Sequence, residues 1–303
     1  MIGIPTYRRP EKLAELLAAL PDRVAECDDV LVRVVVADND SAASARRVVE
    51  EADVDATYVI ESTPGIAAVR NRILDASAGA DVVCFLDDDE RPLPRWLPAL
   101  LDTWRSTGAA AVMGRVISVF DGEPDPWLMA SGVFQRRERP TGLALVTLAA
   151  GNLLLDLRQV GALGIRFDSS IGLAGGEDTC FGRSLVARGA TIVWCNESRA
   201  EDYVPRERLT RAWAMRRAFN GGNAATDIDL RLERRPHRRL LVRVRRLLGG
   251  GIRAGLGLAQ HLWGRLTRDI RLDARGLRTA YRGAGMASAA IGVRRHEYAR
   301  GTP

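Results

Sequence analysis

The feature that most narrows the fold of this 303-residue chain is an alternation. Through the first 120 residues, short apolar runs at 1–5, 32–37, 57–60, 82–86 and 112–120 are separated by segments with helical spacing at 11–20, 42–52, 66–76 and 94–104. Runs of that length bounded by polar residues suit buried strands. In 11–20, Leu13, Leu16, Leu17 and Leu20 share one helical face. Strands alternating with helices predict an α/β fold: a Rossmann-like, mostly parallel central sheet flanked by helices. Sheets of this kind bind ligands beyond the carboxyl ends of their strands.

Polar clusters stand at that edge. The first run ends in Pro5-Thr6-Tyr7-Arg8, the second in Asp38-Asn39-Asp40-Ser41, and the fourth in Asp87-Asp88-Asp89. Any one of them suits an Asx-turn or a helix cap; three on one predicted edge point to a site. Asp87 and Asp89 are spaced to meet one divalent cation. Hard oxygen ligands suit Mg²⁺ or Mn²⁺, and Mg²⁺ sites combine one or two carboxylates with substrate phosphates. A further acidic pair, Glu177-Asp178, follows the glycine-rich loop from Gly172 to Gly176 and precedes a helix-spaced segment at 179–187. The pair suits capping by the helix dipole, and the glycines before it allow close approach to the backbone.

Composition excludes several chemistries. The three histidines, His237, His261 and His296, all lie beyond residue 230. The first 230 residues therefore supply no Ser-His-Asp triad, Cys-His pair or histidine-ligated zinc. Acid–base work there falls to carboxylates. Cys27, Cys84, Cys180 and Cys195 show no CxxC spacing, as expected of reduced cysteines in a cytoplasmic protein. Neither a signal-peptide pattern nor an 18-residue apolar stretch is present. The first turn has no GxGxxG, which argues against dinucleotide binding, and Gly249-Gly250-Gly251 reads as a flexible break.

The motifs together resemble the inverting family 2 glycosyltransferases of GT-A fold. The resemblance spans about residues 2–225 and rests on IPTYRRPE, VVVADND, PGIAAVRN, FLDDDERPLPRWL, AAGNLLL, FDSSIGLAGGEDTCFGRSL and VPRERLTRAWAMRRAFNGGN, in that order. Its nearest likeness is to enzymes that build bacterial exopolysaccharide units on lipid carriers. It implies a nucleotide-diphosphate sugar donor bound by Pro5, Thr6, Tyr7, Asp38, Arg70, Asp87 and Asp88. It further implies Mn²⁺ or Mg²⁺ on Asp87 and Asp89, with Asp178 as general base and Glu177 beside it. The acceptor would be a hydroxyl, such as that of a lipid-linked saccharide. Arg216 and Arg217 either screen the leaving diphosphate or line a solvated helix face. The chain departs from the family at Glu201-Asp202-Tyr203, just before Val204-Pro205, where many relatives carry a histidine or glutamate. Secondary-metabolite glycosyl transfer and sugar nucleotidyl transfer are the rival readings.

The implied division is a catalytic domain over 1–230, with a nucleotide-sugar half (1–120) and an acceptor half (121–230), followed by a basic helical extension over 231–303. The charge step supports it. The last 73 residues hold 18 arginines against four acidic residues, a net of +14, whereas 1–230 carries −8. Leu240, Leu241, Val244, Leu247 and Leu248 alternate there with Arg238, Arg239, Arg243, Arg245 and Arg246. This suits a helix lying on an anionic membrane surface, peripheral to the inner face of the cell membrane. Packing on the body or pairing of subunits are the alternatives. No aromatic interleaving suggests nucleic acid.

Overall fold

A computed structural model of the chain describes residues 1–136, 138–172 and 174–294. His296 and Glu297, with the remainder of 295–303, lie outside the described residues, as does Leu173 of the glycine-rich loop. The first elements are β1 (Ile2–Thr6), α1 (Pro10–Val24), β2 (Val34–Asp38), α2 (Arg46–Glu50), β3 (Ala56–Ile60), α3 (Ile66–Ala76) and β4 (Val82–Phe85). Next come β5 (Glu90–Pro92), α4 (Trp96–Thr107), β6 (Ala111–Phe120), α5 (Pro126–Ser131), β7 (Ala144–Leu145), β8 (Leu153–Asp156) and α6 (Leu157–Leu163). The chain continues through α7 (Glu177–Ala187), β9 (Ile192–Val204), α8 (Arg211–Leu232), α9 (Pro236–Thr267) and α10 (Ile270–Ala290).

Among the described residues the strands form one nine-stranded sheet in the order β3-β2-β1-β4-β8-β6-β9-β5, with β7 also paired to β9. Its first four strands are parallel, in register Thr6 to Asp38 and Asp38 to Ile60. Beyond β4 the direction reverses: β4–β8, β6–β8, β5–β9 and β7–β9 are antiparallel. The sheet is therefore α/β as expected but mixed. Strand–helix–strand crossovers build its first half, and the second half returns by other connections.

Two compact units divide the chain. One comprises Met1–Val119, Arg136–Gly172 and Glu177–Tyr203. The other comprises Phe120–Gln135, the short stretch before Glu177, and Val204 onward. The charge step at 231 falls inside the last turn of α8, so the compositional break lies within a continuous helix.

In the first unit the strands are buried on both faces with a two-residue period. Ile2, Ile4, Val34, Val36, Cys84 and Leu86 pack under α1 and α4 with Leu13, Leu16, Leu17, Leu20, Trp96 and Leu100. Val35, Ala37, Val83 and Phe85 face the other way, onto Val69, Ile73, Phe167 and Phe181. A side chain at Gly3 would strike Ile73, which is why β1 carries a glycine between Ile2 and Ile4.

Three departures from the sequence expectations have local causes. The helix expected over 42–52 shortens to α2, because Ala43 takes φ 57° and Ala45 N–H is spent on the Asp38 carboxylate. The helix expected from 94 starts at Trp96, after Arg95 at φ 65°, and Glu90–Pro92 before it pairs with β9 as a strand. The Gly249-Gly250-Gly251 triplet is not a break. It lies inside α9, where a Cβ on Gly250 would sit 2.8 Å from the backbone of Ala287 and Gly283 in α10.

Within the second unit, α9 and α10 form an antiparallel pair. Asp269 caps α10 by accepting from Arg271 and Leu272 N–H at 2.8 and 3.0 Å. Gly250, Gly257 and Gly264 recur every seven residues opposite Gly276 and Gly283, so the two backbones touch along a glycine seam. The other side of α10 packs on α8, where Gly222 and Gly285 are the close-approach positions.

Candidate functional site

The site forms where β1, β2 and β4 of the first unit end. β4 delivers Asp87, Asp88 and Asp89 to its carboxyl end, and β1 delivers Thr6 and the Tyr7-Arg8-Arg9 turn. Thr6 Oγ1 donates to Asp88 Oδ2 at 2.8 Å. Arg9 Nη1 donates to Asp88 Oδ1 at 3.1 Å and to Asp89 Oδ2 at 2.8 Å. Pro5 is buried in β1 and Tyr7 half-buried just past it, with the Arg8 guanidinium 5.2 Å over its ring.

Arg70 is the link. It is buried on α3, its guanidinium 5.7 Å over the Phe167 ring. Nη2 donates to Asp87 Oδ1 at 3.3 Å and Nη1 to Glu177 Oε1 at 2.5 Å. One side chain therefore joins the acidic cluster after β4 to the acidic pair that opens α7, 107 residues apart from it in sequence. Asn71 fixes the intervening strand-like stretch by accepting from Phe167 N–H and donating to Phe167 C=O. Glu177 is buried, and its second oxygen, Oε2, has no hydrogen-bond partner among the described residues.

Asp178 is half-buried next to Glu177, with Oδ1 accepting from Thr179 N–H at 2.5 Å. Burial pushes its carboxyl up to about 6; Glu177 adds to the shift and Arg70 opposes it. Burial likewise lifts Asp88 to about 6 against the pull of Arg9. It lifts Asp87 as well, with Arg70 opposing.

Two further carboxylates belong here that sequence reasoning did not assign. Glu90 is buried directly after the aspartates and lies opposite Asp202 of β9 in antiparallel register. Burial, with Asp87, Asp202 and Asp89 around it, drives Glu90 well above the usual carboxylate range. A side chain at Gly151 would press on Glu90 and on Asp87, so that glycine leaves them room. Asp202, the position where the chain departs from its relatives, accepts from Arg136 Nη2 at 2.9 Å, while Tyr203 N–H reaches Asp89 C=O at 3.4 Å. The end of β9 therefore backs the aspartate loop. The signal for Glu90 was its place at i+3 from Asp87, easily mistaken for a helix-capping carboxylate. For Arg9 it was the doubled arginine after Tyr7.

Asp38 is placed differently from the rest. It is fully enclosed, accepting from Asp40 N–H at 2.8 Å, Ala45 N–H at 3.0 Å and Tyr58 Oη–H at 2.8 Å. Its carboxylate is occupied in shaping the turn after β2. Arg216 and Arg217 are exposed on α8 in the second unit. A cavity of about 780 Å³ runs along α1 and β5 and reaches Asp88, Asp89 and Glu90, but its walls do not include Asp87, Arg70 or Glu177.

Comparison with known proteins places this arrangement. Residues 1–155 match the family model described as glycosyl transferase family 2. Over 237 residues the chain is 40% identical to the succinoglycan biosynthesis protein ExoM of Rhizobium meliloti (strain 1021), covering 73% of this chain and 72% of that protein. The chain is a family 2 glycosyltransferase. As such it shares the GT-A fold with solved glycosyltransferases at low sequence identity. The 1–349 segment of S. aureus TarS superposes with a TM-score of 0.53 at 15% identity, covering 93% of this chain and 90% of that one. GalNAc-T7, solved with UDP, GalNAc and Mn²⁺, gives 0.53 at 14% identity, covering 67% of this chain and 43% of that one. For this glycosyltransferase the match to the family model takes in β1 through the aspartate loop and most of β8.

Proposed function

We propose that this glycosyltransferase moves a sugar from a nucleoside-diphosphate donor to an acceptor hydroxyl with inversion, in the assembly of an exopolysaccharide. The observation that carries the reading is Arg70, whose guanidinium holds Asp87 and Glu177 at one place. The ExoM likeness supports the polysaccharide context. UDP-GlcNAc and UDP complexes of TarS, a protein of the same fold, support a nucleotide-sugar donor.

Asp178 is the proposed base. As the acceptor oxygen attacks the anomeric carbon, its proton passes to the Asp178 carboxylate, and the bond to the diphosphate breaks with its electrons on the β-phosphate oxygen. A carboxyl lifted to about 6 is still ionised at neutral pH yet basic enough to take that proton. Glu177 Oε2, buried and without a partner, is suited to accept from a sugar or acceptor hydroxyl. Attack from the Asp178 side opposite the leaving group, in a single displacement, inverts the centre.

The residues fit a divalent cation of a particular kind. Among the described residues no three Asp, Glu, His or Cys side chains converge to cage an ion. Two oxygen donors, Asp87 and Asp89, each already paired with a guanidinium, suit a Mg²⁺ or Mn²⁺ whose remaining ligands are donor phosphates and water. Held there, the cation would offset the charge developing on the leaving diphosphate. Pro5, Thr6, Tyr7 and the turn shaped by Asp38 line the adjacent donor side, with Arg70 and Asp88 beneath the phosphates. In this reading residues 1–120 form the donor half and 121–230 the acceptor half of the catalytic domain.

Product analysis tests the reading. Incubation with a panel of nucleotide sugars, Mn²⁺ and lipid-linked saccharide acceptors should release nucleoside diphosphate. Release of pyrophosphate instead would mean nucleotidyl transfer and end the proposal.

A further inference from the structure

We infer that α9 is a docking surface for an anionic lipid bilayer, which it meets side-on through the face turned away from α10. Eleven large apolar side chains from Leu240 to Leu266 are 42–75% exposed, among them Leu241, Leu248, Ile252 and Trp263. On a soluble helix such residues face a core. Here the core-facing stripe of α9 is the glycine seam, with Gly250, Gly257 and Gly264 against α10, and the leucines occupy the opposite side. At 1.5 Å per residue the 32-residue helix presents a strip roughly 40 Å long, more than a scattering of surface leucines accounts for.

The polar groups of α9 are arranged to leave that strip bare. Between Leu247 and Gly264 the only charged or titratable residues are Arg253 and His261. Arg253 reaches Met286 of α10 at 3.9 Å, and His261 Nδ1 lies 2.6 Å from Asp273 of α10. Arg243 donates to Ala290 C=O, and Arg246 is paired with Asp229 of α8. The arginines that remain exposed gather at the two ends: Arg234, Arg235, Arg238 and Arg239 before the strip, Arg265 and Arg268 after it. No acidic residue occurs in α9.

That distribution selects the occupant. Two copies pairing through this face would set arginines on arginines in either orientation, since both ends are basic, and like charges in register oppose association. An anionic interface answers all three features at once: an apolar strip to enter the acyl boundary, basic ends to meet headgroups, and no acidic side chain to repel them. No helix among the described residues is long and apolar enough to cross a membrane, so the contact is lateral.

The test is flotation of the full chain with vesicles of phosphatidylcholine alone and of phosphatidylcholine with 30% phosphatidylglycerol. Binding is expected only to the anionic vesicles and to fall about tenfold or more in Leu248→Gln/Ile252→Gln/Leu262→Gln, whose exposed positions should leave folding unchanged by circular dichroism. Brominated acyl chains should quench tryptophan emission, and Trp263→Phe should remove most of that quenching while flotation persists. Failure to float with anionic vesicles, equal flotation of the triple variant, or a concentration-dependent dimer abolished by the triple variant would each overturn the inference.

Discussion

At the scale of single residues the site turns on how two neighbouring carboxylates are made unlike. Glu177 is locked to Arg70, whereas Asp178 shares the burial without a guanidinium of its own and is lifted to about 6. Only Asp178 is left with a basicity useful near neutral pH. Asp178→Asn keeps size and polarity but cannot take a proton. Turnover should drop by about 10²–10⁴-fold while donor affinity, read by calorimetry with the nucleotide sugar, stays within a factor of two or so. Wild-type kcat in that variant would remove Asp178 from the reaction. The lifted carboxyl also sets a pH dependence whose sign is fixed. A base must be ionised, and Asp178 becomes protonated as pH falls through about 6. kcat/KM should therefore level off above that point and decline about tenfold per pH unit below it. A profile flat down to pH 5 would contradict the assignment.

At the scale of elements, the first half of the sheet was legible because its strands obey local rules. Each is a short apolar run, each ends in a polar cluster, and Pro10 and the leucine spacing of α1 mark a helix between them. Asp87, Asp89, Glu177 and Asp178 were legible as carboxylates at strand and helix ends. Their connection was not, because the Arg70 bridge joins residues 17 and 107 positions away from it. Glu90 escaped for a similar reason, since its meaning lies in the β5–β9 pairing with Asp202. The glycine triplet misled because local propensity treats glycine as a helix breaker, whereas α9 needs it for contact with α10. That need predicts an outcome. A Cβ at Gly283 would lie 2.5 Å from Ala254 N, so Gly283→Val forces the helices apart. It should destabilise the second unit by about 1–3 kcal/mol, seen as a lower midpoint in urea. Gly251→Val, where a Cβ meets no atom within 4 Å, should shift it far less.

At the scale of the whole molecule, the chain concentrates negative charge where it binds and positive charge where it does not. Residues 1–230 carry a net −8, and in the first unit Asp87, Asp88, Asp89, Glu90, Glu177, Asp178 and Asp202 gather around only three arginine partners, Arg9, Arg70 and Arg136. Like charges held together in a folded chain repel, and their repulsion is absent once it unfolds. A dianionic diphosphate entering alone would add to that repulsion, so nucleotide and divalent cation should stabilise the fold jointly and neither should do so well alone. With both near 100 times their dissociation constants, linkage gives about 2.7 kcal/mol, a rise in melting temperature of about 5–10 °C for a chain of this size. UDP or GDP with EDTA should give a small fraction of that rise, and Mn²⁺ alone a modest one. Asp89→Ala should abolish the joint effect while leaving the melting temperature without ligands nearly unchanged, because its loss also removes a repelling carboxylate and frees Arg9 for Asp88. A joint shift that survives in Asp89→Ala would move the cation away from the aspartate loop, and a full shift in EDTA would leave the donor's phosphates to Arg70 and Arg9.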